Sequence, residues 1–152
     1  MKKILSYHAV LAPQVAYRLV GASFSYDECD ELMKIIFPIL INAHGFHRSF
    51  SRAMVTAPYT YAGLNITHLY DIQGQCKLRF FMLHMKRQDS IGTLLKIALR
   101  DMQQSTGFAD PFYNRSFQTC DHLLPPLWTK HLLQFLDSRR ITIEIIDDIK
   151  LP

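Results

Sequence analysis

At 152 residues, with 49% hydrophobic and 20% charged residues, the chain is long enough to bury one core and too apolar for a disordered composition. It has no run of about 18 apolar residues, which argues against a transmembrane helix. Its net charge of +4 is uneven: residues 42–100 hold eight Lys and Arg against Asp71 and Asp89, whereas Asp27, Glu28, Asp30 and Glu31 outweigh Lys34 just before them. A basic block of this kind fits a polyanion partner such as nucleic acid, or a solvated helix face.

Residues 2–11 read as a helix, with Ile4, Leu5, His8 and Leu11 on one face, and Pro13 interrupts or restarts it. The opening MKKILSYHAVLAP begins like a signal peptide. Tyr7 and His8 break its apolar run and no small-x-small site follows, so secretion is not expected. Ser25 and Glu28 form a capping box for a helix from 26 to about 42. Cys29, Leu32, Met33, Ile36 and Leu40 give that helix its stripe, and Pro38 predicts a kink or an early end. Gly45 suits the residue just past it.

Residues 46–66 hold too few apolar repeats for a long helix, with one short turn over 51–56. Thr67 is the expected N-cap of a long helix over 68–87. Leu69, Ile72, Cys76, Phe80 and Leu83 form its stripe. Leu78, Phe81, Met82 and Met85 widen it, so burial on two sides is expected. Gly74 in mid-helix hints at another backbone packed close by. Ser90 caps a helix over 91–105, ended by Gly107, with Leu94, Leu95, Ala98, Leu99 and Met102 facing inward. An irregular aromatic connection runs over 108–124. A last helix begins near Pro126, buries Trp128, Leu132, Phe135 and Leu136, and closes on Arg139 and Arg140. Residues 141–145 alternate like a strand. The expected fold is mainly all-α: one domain, an irregular bundle of about five helices with a long central loop and a short C-terminal strand.

Catalytic motifs are absent: no phosphate-binding loop, no glycine fingerprint, no His-Glu-x-x-His, no Gly-x-Ser-x-Gly. Cys29, Cys76 and Cys120 lie far apart and are odd in number, as buried reduced thiols would be. His44 and His47 are three apart, with no third metal ligand nearby. Asp147-Asp148 is similar to a polymerase aspartate pair, but two-metal chemistry needs a further carboxylate from a separate strand. No self-contained catalytic centre is expected.

One stretch, 45–88, joins a distinctive turn pattern to a lopsided charge. It resembles the region after the palm in reverse transcriptases of retrotransposon-like elements from single-celled eukaryotes. Gly45, Phe46, Arg48, Phe50, Arg52 and Ala53 match that family's first loop. Pro58, Tyr61, Gly63, Leu64, Leu69, Tyr70, Gln73 and Gly74 match its turn and helix start. HMKRQDSIGTLLKIAL and residues 128–136 are similar to its basic helix end, leucine-rich follower and closing tryptophan helix. The likeness spans about residues 4–145. His47 stands where the family prefers Asn, and Ala62 and Asn65 replace turn glycines. If Ala62 needs a positive φ, the turn is strained.

The resemblance implies a fragment or remnant of an RNA-directed DNA polymerase, a thumb-like region without the catalytic palm and its Tyr-x-Asp-Asp motif. Arg48, Arg52, Lys77, Arg79, Lys86 and Arg87 would contact phosphates of an RNA/DNA template–primer. Phe46, Phe50 and Tyr61 would pack the loop or stack on bases. The missing polymerase core is an implied partner. Magnesium would belong to the palm, with no cofactor expected in this chain. No membrane contact is expected, and the location would be intracellular, nuclear or cytoplasmic. The competing expectations are a helical protein-interaction domain with no nucleic-acid role, and a small enzyme of another type.

Overall fold

A computed structural model describes residues 12–47, 49–109, 111–114 and 117–143. The described residues form seven α-helices and no strand: α1 (Ala12–Leu19), α2 (Tyr26–Ala43), α3 (Arg52–Thr56), α4 (Leu69–Arg87), α5 (Ser90–Thr106), α6 (Phe117–Cys120) and α7 (Trp128–Ser138). The all-α expectation holds: α2, α4, α5 and α7 are four of the five expected helices, and α1, α3 and α6 are additional. The expected helix over 2–11 lies outside the described residues. The backbone gathers into two compact units, Met1–Phe80 and Phe81–Pro152.

In the first unit, α1 includes Pro13 as its second described residue. The capping box on α2 is reciprocal. Ser25 Oγ accepts from the Glu28 N–H at 3.3 Å, and Glu28 Oε2 accepts from the Ser25 N–H at 2.7 Å. The buried row of α2 is Cys29, Met33, Phe37 and Ile41, one residue every four. Leu32 of the expected stripe is exposed, and Ile36 and Leu40 are half-buried. The helix also passes through Pro38 and continues to Ala43. The lost bond belongs to the carbonyl of Lys34, and both Lys34 and Pro38 are exposed, so solvent has access to that side of the helix. The end is a Schellman motif: the Phe46 N–H donates to the Ile41 carbonyl, the Gly45 N–H to that of Asn42, and Gly45 has φ +77°.

The central loop is ordered by its own backbone. The Leu64 N–H donates to the Met54 carbonyl, Asn65 to Ala57 and Ile66 to Val55, each at 2.9 Å. Val55, Leu64 and Ile66 are buried beneath these bonds. A Cβ at Gly63 would overlap the Ala57 carbonyl, so only glycine closes the loop. Ala62 has φ +57° and Asn65 has φ +50°. The strain expected at Ala62 is therefore present, at a site where an L-residue with a Cβ is disfavoured.

α4 starts one residue later than expected. His68 flanks it, its carbonyl accepting from the N–H groups of Asp71 and Ile72 and its Nδ1 from that of Tyr70. The Tyr26 ring stacks on His68 with centroids 5.2 Å apart and meets Tyr70 edge-on, pinning α2 to this start. Leu69, Ile72, Phe81 and Met85 are buried, together with Gln73, Gly74 and Lys77. Met82 and Leu83 of the expected stripe are exposed.

In the second unit, Asp89 rather than Ser90 caps α5. Its Oδ1 accepts from the Gly92 N–H at 2.8 Å, while its Oδ2 lies 2.7 Å from His84 Nδ1. The Gly92 N–H bond, with the His84 bond second, holds the Asp89 carboxyl below the ordinary carboxylate range. Leu95, Leu99 and Met102 are buried as expected, but Leu94 is exposed. Gly107, at φ +65°, ends the helix. Gln103 organises the aromatic connection: its Nε2 donates to the Phe108 carbonyl and its Oε1 accepts from the Phe112 N–H. On α7, Leu132, Leu133, Phe135 and Leu136 are buried, and Trp128 is half-buried. The expected strand does not form over 141–143, and residues 144–145 lie outside the described residues. An extended segment with no neighbouring strand has no ladder to join.

Candidate nucleic-acid interface

The six cations expected to touch phosphate fall into three groups. Arg48 lies outside the described residues. Arg52, Arg79, Lys86 and Arg87 are exposed. Arg52 and Arg79 belong to the first unit, Lys86 and Arg87 to the second.

Lys77 is the correction. Only 1% of it is accessible, and its Nζ donates to Ser23 Oγ at 2.9 Å. Burial pulls its pKa from the usual lysine value down to about 8, with Cys29 opposing the shift. An ammonium inside the unit does not reach phosphate. One turn earlier, Gln73 does similar work: its Oε1 accepts from the Phe24 N–H at 3.1 Å and its Nε2 donates to the Phe24 carbonyl at 2.9 Å. Gln73 and Lys77 thus anchor residues 23–24 against α4. Cys29 is fully buried, and that burial, aided by the charge of Glu28, pushes its thiol up to about 11. Such a thiol is inert toward electrophiles.

The exposed cations differ in their surroundings. Arg52 opens α3 on the locked loop and makes no ion pair with a described carboxylate. The same loop leaves Tyr61 74% and Tyr59 56% exposed. Phe46 and Phe50 stack on each other, centroids 4.5 Å apart and planes 24° apart, so these two pack the loop as one alternative held. Tyr61 does not. Tyr59 goes unnoticed in sequence, because exposure of an aromatic in a turn leaves no periodic signal. Lys86 and Arg87 close α4 in its last turn, where the macrodipole favours them.

Two other surfaces bear on the competing functions. On α2, Ile35 and Ile39 are 65% and 63% exposed, with Leu32 beside them; on α5, Leu94 is 64% exposed, flanked by Ile91 and Ile97. These are apolar rows at helical spacing with no cover. The second unit also holds a cavity of about 290 Å³ whose lining includes Phe117, Cys120, Leu136, Asp137 and Arg140. Asp137 Oδ1 accepts from the Phe117 N–H. Among the described residues that line the cavity none is a histidine. Among the described residues no three His, Cys, Asp or Glu side chains converge as a metal site. No helix of the described residues is long and apolar enough to cross a membrane. Asp147 and Asp148 lie outside the described residues.

No family model, curated protein or solved structure matches the chain.

Proposed function

We propose that the chain is a thumb-like region of a reverse transcriptase, gripping an RNA/DNA template–primer through phosphate contacts and working beside a catalytic palm outside these 152 residues. The observation that carries this reading is the loop over 51–66. It is held rigid by backbone bonds and buried aliphatics, yet it leaves Tyr59, Tyr61 and Arg52 exposed, Arg52 with no ion-pair partner among the described residues. Rigid presentation of a cation with aromatic faces is what sequence-tolerant strand binding requires. Arg79, Lys86 and Arg87 add charge that positions a sugar–phosphate backbone without reading sequence. Magnesium and the chemical step belong to the palm. The location this implies is intracellular, nuclear or cytoplasmic.

Binding to a primer–template duplex, titrated with salt, tests the reading. Four phosphate contacts give log K against log salt a slope of roughly −3 to −4. A flat slope rejects the proposal. It would favour the second reading, a helical domain for a protein partner, which the uncovered rows on α2 and α5 support. A transcript carrying a Tyr-x-Asp-Asp palm upstream of Met1 would add independent support.

A further inference from the structure

The cavity of about 290 Å³ in the second unit has no part in the reading above. Phe112, Leu133 and Leu136 of its lining are buried, and Phe117 is half-buried. Asp137 and Arg140 bring opposite charges to the same lining. They stand one turn apart at the end of α7, where an aspartate and an arginine ordinarily pair. Here they form no ion pair with each other, nor with any other described residue. Asp137 Oδ1 is held instead by the Phe117 N–H at 3.3 Å. Arg140 is placed by the backbone. The Ile141 N–H donates to the Leu136 carbonyl and the Arg140 N–H to that of Asp137, a Schellman motif with Arg140 at its left-handed position, φ +54°. At the ends of α2 and α5 that position is held by Gly45 and Gly107. Strained non-glycine residues of this kind gather at ligand clamps.

We propose that this cavity binds a free α-amino acid with a large apolar side chain. The Arg140 guanidinium takes the carboxylate, the Asp137 carboxylate takes the ammonium, and the side chain lies among Phe112, Phe117, Leu133 and Leu136. Three observations set the ligand. The volume is at the lower edge of ordinary small-molecule pockets, so the cavity suits a ligand of amino-acid size and not a drug-sized one. The lining carries one charge of each sign, so a ligand with a single charge would face a like charge. A zwitterion meets both, and a guanidinium can hold its carboxylate through two parallel bonds. Asp137 and Arg140 are only one turn apart, so the two ligand charges must also lie close together, as they do on a single α-carbon. The buried phenylalanine and leucines then favour an apolar side chain over a polar one. None of the cations assigned to phosphate takes part, so this site stands or falls separately from the nucleic-acid reading.

The test is isothermal titration calorimetry of the full chain with leucine, phenylalanine, glycine, leucinamide, N-acetyl-leucine and 6-aminohexanoate. Leucine or phenylalanine should bind. Glycine, which has no side chain to bury, should bind about tenfold more weakly or worse. Leucinamide lacks the carboxylate and N-acetyl-leucine the ammonium, and each should lose about tenfold, the size of one charge-assisted contact. The widely spaced charges of 6-aminohexanoate should not span Asp137 and Arg140 productively, and it too should bind more weakly. Arg140→Gly relieves the positive φ, so the variant should melt no lower than the parent while binding leucine no better than leucinamide. Asp137→Asn keeps an oxygen for the Phe117 N–H and should bind leucine no better than N-acetyl-leucine. No heat from either leucine or phenylalanine at millimolar concentration overturns the site. So does equal affinity for leucine, its amide and its N-acetyl form, or leucine binding that survives both substitutions unchanged.

Discussion

The loop over 51–66 and the buried face of α4 meet the same difficulty in opposite ways. Both must keep polar groups satisfied away from water. The loop does it backbone to backbone, through the bonds that Leu64, Asn65 and Ile66 donate to Met54, Ala57 and Val55. Its side chains are then spare, and Arg52, Tyr59 and Tyr61 point out. In α4 the helix consumes its own backbone groups, so side chains must serve a neighbour, and Gln73 and Lys77 are spent on residues 23–24. A lysine in such a row is structural, while an arginine on such a loop is available. Sequence charge alone treats the two as equals.

The comparison can be broken most severely at Gly63. Gly63→Ala sets a Cβ against the Ala57 carbonyl, and we expect a loss of about 3 kcal/mol or more in urea unfolding. A neutral result would mean the loop is not locked in this way. Next is Gln73→Ala, which strips the Phe24 N–H and carbonyl of their partner at once. A loss of roughly 2–3 kcal/mol is expected, and a loss under 0.5 would show that water serves Phe24 equally well.

Lys77→Met should have the opposite sign. The folded pKa of about 8 lies below the ordinary lysine value of 10.5. The folded state therefore holds the proton less tightly, and its penalty is complete below pH 8. The parent chain regains stability as pH rises from about 8 to 10.5. The methionine variant should be more stable by roughly 2 kcal/mol at pH 7, with the advantage shrinking across that window. An advantage that grows with pH would contradict the burial of a charged amine. The smallest effect belongs to Ala62→Gly, which relieves a positive φ and should add about 0.5–1 kcal/mol. Destabilisation there would mean the alanine methyl makes a contact worth more than the strain.

Much of the fold was legible in the letters where a local rule decides. The Ser25–Glu28 box, the glycines at 45 and 107, and the short turn at 51–56 each depend on a few neighbouring residues, and each stands where it is expected. The misses share a different cause. The buried row of α4 runs through Gln73 and Lys77, which an apolar pattern passes over, so its stripe is placed too far toward Met82 and Leu83. Pro38 stands inside α2 on an exposed side of the helix, a fact about surroundings and not sequence. The candidate interface divides likewise. Arg52, Arg79, Lys86 and Arg87 are exposed as a basic block implies, but the fate of Lys77 depends on Ser23, 54 residues away.

The most direct trial of the phosphate-gripping account is the salt slope of template–primer binding, measured on single variants of the full chain. Arg52→Gln, Arg79→Gln and Lys86→Gln should each flatten the slope by about 0.7–0.9, one phosphate contact apiece, and Lys77→Met should leave it unchanged. A slope that ignores the three exposed cations, or that falls when Lys77 is replaced, would contradict the account.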